Sequence, residues 1–208
     1  MSPVVRMRSQ RIWLCFATMI AVVSGCTHTL EVSPRPVELP QSEPLNLSVE
    51  VWMSDQFRKA QWTKELRAGE TWKLPLGSPL IENTERLAKA VFAKVVISGG
   101  QKPAANGGVQ AILIPKLVSI SREAGQQTDH EQATAVRVEW ALNDRNGKLI
   151  WVDTILGIGK GRQDIYGKDG PQQQVQSALD NLFRQSLEAL ISSIEVKSFI
   201  QRTKQSGS

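Results

Sequence analysis

Residues that commonly carry out chemistry are scarce in this sequence. Its 208 residues include only two cysteines, Cys15 and Cys26, and two histidines, His28 and His130. His130 lies in the polar stretch 128–131, which invites a metal or acid–base interpretation, but no further histidine or cysteine is present to complete a zinc shell. The serines lack the Gly-x-Ser-x-Gly pattern of a hydrolase nucleophile. We therefore predict no catalytic residue, no metal site and no enzymatic activity.

The sequence also lacks an apolar run long enough to cross a membrane. Its most apolar stretch is residues 12–23, whereas a spanning helix needs about 20 residues. Arg6, Arg8 and Arg11 precede this stretch without any acidic residue, and small residues follow it. A basic start, a short apolar region and a small-residue processing site are typical of a secretory signal. We expect residues 1–25 to be a signal peptide that is removed.

The signal ends in Val23-Ser24-Gly25-Cys26, which resembles the lipobox of bacterial lipoproteins. The resemblance implies that Cys26 becomes the N-terminus and carries a thioether-linked diacylglycerol and an amide-linked acyl chain. Two or more acyl chains anchor a protein stably, whereas one chain binds only marginally. Thr27 stands where an aspartate usually retains such proteins in the inner membrane, so the resemblance implies the periplasmic face of the outer membrane. The alternative is an ordinary cleaved signal in which Cys26 is incidental.

The positive charge of the chain lies largely in the signal. The full sequence has 25 basic and 20 acidic residues, and residues 1–25 contain three basic residues and no acidic one. The remaining 183 residues have nearly balanced charge and no concentrated basic patch, so we predict no nucleic-acid partner. Cys15 leaves with the signal and Cys26 is acylated, so disulfides and thiolate sites are excluded, and the only attached group is the lipid.

The segment after the anchor is rich in proline. Residues 26–44 include Pro34, Pro36, Pro40 and Pro44 among polar residues. Such a composition favours extended, weakly packed chain. We predict a tether between the lipid and a folded domain, with a reach of several tens of ångströms at roughly 3 Å per residue.

Residues 45–199 are predicted to form one periplasmic domain. Residues 45–53 alternate between apolar and polar, which is typical of a half-buried strand. Ser78 and Pro79 predict a helix start, with Ser78 as the N-cap, and a second helix follows Gly170 with an apolar stripe that continues to Ile194. Further strands are expected near residues 70–76, 95–97, 109–120, 136–142 and 149–158. The fold class is α+β: a mostly antiparallel sheet of four to six strands with two helices packed on one face. We expect the polar tail, residues 200–208, to be disordered.

Two of these strands are expected to form a hairpin around Asn146-Gly147. Two registers remain open, one with Trp140 opposite Trp151 and one with Trp140 opposite Asp153, and both place the two tryptophans on the inner face. In the preceding strand, Pro115 cannot donate to a ladder, so a bulge or an edge is expected there.

Residues 157–161, Gly-Ile-Gly-Lys-Gly, resemble half of a phosphate-binding loop. A P-loop also needs a Lys-Ser or Lys-Thr pair and a helix that follows at once. Because neither follows here, we interpret the glycines as a glycine-rich strand exit.

Three residues are candidates for partner contact: Trp52, Arg58 and Trp62. Trp52 is on the polar face of its predicted strand, and exposed Trp and Arg are enriched at binding hot spots. The alternative is that residues 54–69 fold back over these side chains.

The helix near residues 77–96, the hairpin at 144–151 and the helix at 175–194 resemble the YajG-like and LpoB-like periplasmic lipoproteins. This resemblance implies a non-enzymatic accessory that binds another envelope component. Our main hypothesis is therefore a lipid-anchored periplasmic module that contacts an envelope protein through a sheet edge or an aromatic patch. The alternative is a carrier of lipid or lipopolysaccharide with an apolar cleft between sheet and helices.

Overall fold

Eight strands and four helices are present in the part of the chain that the computed structural model describes, which is residues 27–29, 35–41, 43–65, 71–100, 108–124, 131–162 and 170–206. They are β1 (Thr27–Thr29), β2 (Leu45–Met53), α1 (Asp55–Arg58), β3 (Gln61–Glu65), β4 (Thr71–Pro75), α2 (Gly77–Val91), β5 (Phe92–Gly99), β6 (Ala111–Ala124), β7 (Glu131–Asp144), β8 (Leu149–Arg162), α3 (Gly170–Ser192) and α4 (Ile194–Ser206).

The strands form two sheets. The central sheet has the order β5-β2-β6-β7-β8, and a small sheet has the order β1-β4-β3. The α+β class and the predicted number of central strands are confirmed. The prediction of a mostly antiparallel sheet is only partly correct, because the sheet is mixed: β2 is parallel to both of its neighbours, and the β6-β7-β8 part is antiparallel. The crossover through α2 returns the chain beside β2 in the same direction, which makes this pairing parallel.

The prediction of two helices is also only partly correct, since α1 and α4 add to the expected pair. In α1, a single turn, the Ser54 hydroxyl accepts the Phe57 N–H at 3.2 Å, and Phe57 is buried. The start of α2 differs from the prediction, because it begins at Gly77 and Ser78 is not its N-cap. The Ala60 carbonyl instead accepts the N–H groups of Leu76 and Gly77, so backbone serves where a side-chain cap was expected.

The hydrophobic core lies between one face of the central sheet and the helices α2 and α3. Leu47, Val49, Val51 and Met53 of β2 all point to this face and are 0–1% exposed. From β7, Trp140 meets Phe183 of α3 edge-on, with ring centroids 6.0 Å apart and planes at 70°. Such T-shaped pairs stabilise a core by about 1 kcal/mol beyond the area they bury.

Gly157 and Gly159 lie on this same inner face of β8. A Cβ at Gly157 would approach the Leu182 Cβ to 2.6 Å, and a Cβ at Gly159 would approach the Ala178 backbone nitrogen to 2.6 Å. Glycine is therefore needed at both positions, because α3 packs directly on the backbone of β8. The glycine-rich segment serves helix–strand contact, and the helix it contacts does not follow it at once, as a P-loop would require.

The hairpin register places Trp140 opposite Asp153 and Leu142 opposite Trp151. Trp140 is 0% and Trp151 is 7% exposed, so the predicted inner position of both tryptophans is confirmed. Pro115 lies beyond Leu113, the last residue of β6 that pairs with β2, and pairs with Trp140 on the other side. The strand is an edge at that point on the β2 side, as the missing N–H predicted.

The C-terminal segment differs from the prediction in two ways. The helix from Gly170 ends at Ser192, and Ser193 caps a new helix by accepting the Val196 N–H at 3.2 Å. Because of this break, Ile194 is 72% exposed and does not continue the buried stripe. The disordered tail is wrong for residues 200–206, which belong to α4; Val196 and Ile200 of that helix are buried one turn apart. Residues 207–208 lie outside the described residues.

Part of the predicted tether packs on the domain. Val37 is 4% exposed, and its N–H donates to Asn83 Oδ1 of α2 at 2.9 Å. The Gln176 side chain of α3 donates to the Arg35 carbonyl at 3.2 Å, and residues Thr27–Thr29 pair with β4. The predicted weak packing therefore does not hold throughout residues 26–44, because the apolar side chain of Val37 is buried in the core.

Candidate functional site

The face of the central sheet opposite the helices is the most extensive candidate surface among the described residues. Side chains alternate along β8, so Val152, Thr154, Leu156 and Ile158 point away from the core. We call the outward side chains of β2, β6, β7 and β8 the open face. Three large apolar side chains are exposed here or at its β-bulge: Val118 at 46%, Val152 at 49% and Ile158 at 41%.

The strand register orders the open face into rows across the strands. Ile114, Ala141 and Val152 form an apolar row, because Ile114 pairs with Ala141 and Ala141 pairs with Val152. The next row contains an ion pair between Lys116 and Glu139, with Nζ and Oε1 3.4 Å apart. Exposed ion pairs of this kind contribute about 0–1 kcal/mol, so the pair adds more polarity than stability.

Trp52 belongs to the open face, as its place on the polar side of β2 predicted. It follows Val51, the partner of Leu113, and so lies level with Ile114 at one end of the apolar row. The side chain is half-buried, and its Nε1 atom is fully buried without a hydrogen-bond partner among the described residues. The indole therefore offers part of its apolar ring to solvent.

The structure separates the other two predicted contact residues from Trp52. Arg58 is exposed, and the Cζ atom of its guanidinium lies 2.8 Å from the position that a Cβ at Gly99 would take. Gly99 pairs with Met53 on the inner side, so Arg58 and Trp52 are at the same end of β2 but on opposite faces. Trp62 belongs to the small sheet, opposite the buried Leu74, and packs partly against the core. The three residues are therefore not on one surface.

A buried glutamate beside Trp52 is a feature that the sequence patterns did not predict. Glu50 is 0% exposed although it lies on the outward side of β2, and it accepts the Ser98 hydroxyl at 2.5 Å. Alternation alone indicated a solvated carboxylate at this position. Because the pairing partner of Glu50 on β6 is the buried Ile112, tertiary neighbours enclose the carboxylate instead.

The edge of β8 is partly covered by α3. The Asn181 side chain donates to the Ile158 carbonyl at 2.6 Å, and the Gln185 side chain donates to the Leu156 carbonyl at 3.4 Å. Edge carbonyls that are occupied in this way do not template the addition of another strand. The face of this strand is therefore more accessible than its edge.

A groove of about 830 Å³ lies between the hairpin turn and α4. Its lining combines apolar side chains with basic and acidic ones: Val109, Leu149, Ile150, Ile194, Phe199, Arg145, Lys148, Arg202, Asp144 and Glu195. Asp144 accepts the N–H groups of Asn146 and Lys148 in the turn, and Glu195 accepts the Ser193 hydroxyl at 2.8 Å. The bond from Ser193 is the main reason why the pKa of Glu195 is lowered. Both carboxylates are thus engaged in local structure.

The residues considered for lipid or metal chemistry lie mostly outside the described part of the chain. Cys26 and His130 are outside it, and His28 is in β1. Within the described ranges, no group of three or more His, Cys, Asp or Glu side chains is arranged to hold a metal ion. None of the described helices combines the length and the apolar character needed to pass through a bilayer.

No protein-family model matches the sequence, and no curated protein matches it. Similar solved structures include protein XCC0632 from Xanthomonas campestris, with 12% identity and a TM-score of 0.45 over 88% of this chain and 100% of that chain. A minor lipoprotein from Acinetobacter baumannii has 11% identity and a TM-score of 0.42 over 74% and 96% of the two chains. Lipoprotein GNA1162 from Neisseria meningitidis has 14% identity and a TM-score of 0.36 over 71% and 99%. Two of these three proteins are bacterial lipoproteins by name, but similarity at this level carries no conclusion about the present chain.

Proposed function

We propose that this chain is a lipid-anchored accessory domain of the bacterial envelope, held at the periplasmic face of the outer membrane, that binds a protein partner and catalyses no reaction. The anchoring part rests on the lipobox at residues 23–26, with Thr27 as the residue that directs it outward. The resemblance to YajG-like and LpoB-like lipoproteins belongs to the same proposal.

The observation that carries the binding part is the open face. Val152 and Ile158 are each more than two-fifths exposed, and they share this face with the half-buried Trp52. Exposed apolar residues that gather on one surface mark interaction sites more often than scattered ones do. A tryptophan at the edge of such a surface supplies a large contact area, and tryptophan is enriched at binding hot spots.

Crosslinking of the lipidated protein in its native cells tests the binding part. We expect a specific crosslinked species with the wild-type chain and its loss when Val152→Glu and Ile158→Glu are combined, because two carboxylates on the apolar surface oppose its desolvation. Trp52→Ala should weaken the same species.

The matched control is Ile194→Glu, which also places a carboxylate at an exposed apolar position but lies at the groove. The proposal is contradicted if the crosslinked species survives the double variant, or if it is lost equally in the control. Circular dichroism of each variant establishes that the fold is intact.

The anchor is tested separately by Cys26→Ala in cells that are supplied with labelled palmitate. We expect the variant to lose both lipid incorporation and membrane fractionation. Fractionation of inner and outer membranes checks the role of Thr27, since Thr27→Asp should move the protein to the inner membrane.

Lipid carriage is a second candidate function, and the groove is the observation that favours it. The cleft was expected between sheet and helices, but the described side chains there, including Leu87, Leu113 and Leu182, are 0% exposed. Side chains without accessible surface do not line a ligand cavity. The groove instead combines exposed Leu149 and Ile194 with the cations of Arg145 and Lys148, a lining suited to an anionic amphiphile. Binding of a fluorescent anionic lipid that Ile194→Glu abolishes would favour this function, and saturable binding unaffected by the variant would count against the groove.

A further inference from the structure

The residues that follow the acylated cysteine are held in the small sheet. Thr27, His28 and Thr29 of β1 run parallel to β4 and pair with Thr71, Trp72 and Lys73. Strand pairing fixes the backbone of each residue relative to its partner. The position of Thr27 is therefore set by the domain and not by a flexible linker.

Cys26 is joined to Thr27 by one peptide bond, so its Cα lies about 3.8 Å from that of Thr27. The acyl chains on Cys26 consequently leave the molecule close to the edge of the small sheet, beside the residue that pairs with Thr71. A domain attached in this way has almost no free chain between its surface and the bilayer.

The prolines that follow do not lengthen the connection. The chain is held again at Arg35 and Val37, which bond to α3 and α2. From Thr29 to Arg35 the backbone advances six residues, which is at most about 20 Å. This part of the predicted tether thus connects two sites on the same domain, and its length does not add to the distance from the lipid.

The exposed face of the small sheet suits a bilayer surface. Thr63 of β3 pairs with Lys73 of β4, and both lie on the face opposite Trp62 and the buried Leu74. Gln61, Thr63 and Lys73 on this face are polar, and each Lys or Arg near an anionic leaflet contributes about 1 kcal/mol of attraction. This face, beside the lipid attachment point, is therefore complementary to phospholipid headgroups.

From this geometry we propose that the small sheet is the surface with which the domain contacts the bilayer that holds its acyl chains. The inference rests on the proposed acylation of Cys26. It assigns the face of β3 that carries Thr63, opposite the core-facing Trp62, to the membrane side of the molecule, and it leaves Trp52 and the open face to the protein partner.

Single cysteine variants provide the test, because an introduced cysteine is the one free thiol of the acylated chain. Thr63→Cys places an environment-sensitive fluorophore on an exposed site of β3. Arg145→Cys places it on the hairpin turn. That turn follows Asp144, which pairs with Ala111, and Ala111 pairs in turn with Val49 of β2. From Val49, β2 runs away from the level of the turn and ends at Met53, from where the chain continues toward the small sheet. The turn is thus at the far end of the sheet.

The purified lipidated variants are reconstituted in vesicles of phosphatidylethanolamine and phosphatidylglycerol with or without nitroxide-labelled lipid. We expect the nitroxide to reduce emission at position 63 at least about twofold and to leave position 145 nearly unchanged, since a headgroup contact extends only a few ångströms from the bilayer. Gln61→Cys, also exposed on β3, replaces Thr63→Cys if the latter does not fold.

The outcomes separate this inference from the proposed function. Vesicle flotation of both variants with no quenching at position 63 overturns the contact while leaving the anchor intact. Equal quenching at positions 63 and 145 also overturns it, since the domain then has no preferred orientation. Failure of both variants to float, with the same behaviour in Cys26→Ser, shows that the anchor itself is absent and removes the basis of the inference.

Discussion

Residues one position apart on β8 have opposite surroundings. Gly157 and Gly159 face α3 so closely that neither has room for a methyl group, whereas Ile158 between them is 41% exposed. The inner face is determined by packing, and almost any change there disturbs a neighbour. The exposed positions of the outer face have no such constraint among the described residues, and this difference is the basis of the binding proposal.

The largest effect is expected from Phe183→Ala, which deletes the α3 side of the contact with Trp140. Phe183 is 0% exposed, and truncation of a buried phenylalanine costs about 3–5 kcal/mol. Urea denaturation of the domain without its signal measures the loss. A change below about 1 kcal/mol would show that α3 is not packed on the inner face as described.

Gly159→Ala is expected to have the next largest effect on stability, because it adds a methyl group only 2.6 Å from the Ala178 backbone nitrogen of α3. Overpacking of this kind costs about 1–3 kcal/mol, although alanine is otherwise preferred to glycine in a strand. Lys160→Ala on the exposed side of the same strand is the control and should change the free energy of unfolding by no more than about 0.5 kcal/mol. Equal effects in the two variants would remove the distinction between the faces.

On the open face, Val152→Glu combined with Ile158→Glu should change stability little while abolishing partner crosslinking. Both positions are exposed, so each substitution is expected to stay within about 0.5 kcal/mol. Thermal unfolding of the double variant beside the wild type gives the measurement. A large drop in the melting temperature would mean that this face supports the fold and would weaken the binding proposal.

The smallest effect concerns the start of α4, away from both faces. The Ser193 hydroxyl holds the pKa of Glu195 below its ordinary value, so Ser193→Ala should raise that pKa, as an NMR titration of the Glu195 carboxyl would detect. Since the pKa is lowered in the folded state, the contribution to stability is present above the ordinary glutamate pKa. It is lost as the pH falls through the lowered value. An unchanged pKa in the variant would contradict the assigned cause.

Local patterns predicted the elements whose residues face a core with a clear period. The alternation of Leu47, Val49 and Val51 identified β2, and the inner positions of Trp140 and Trp151 were also correct. The secondary structure of residues 54–65 was more difficult to predict, since α1 and β3 are too short for a period to be detectable. In the candidate site, the side of Trp52 was predictable from alternation, but its separation from Arg58 depends on the pairing of Gly99 with Met53.

The order of residues by itself determined the near-neutral charge of residues 26–208 and the α+β class, and it carries the predictions of a signal peptide and of lipidation at Cys26, because each depends on composition or on short-range spacing. Tertiary structure decided the parallel pairing of β2 with β5 and β6, the contact of α3 with Gly157 and Gly159, and the docking of Val37. These features join residues that are distant in sequence, and their free energy comes from burying surfaces that no local pattern identifies as partners.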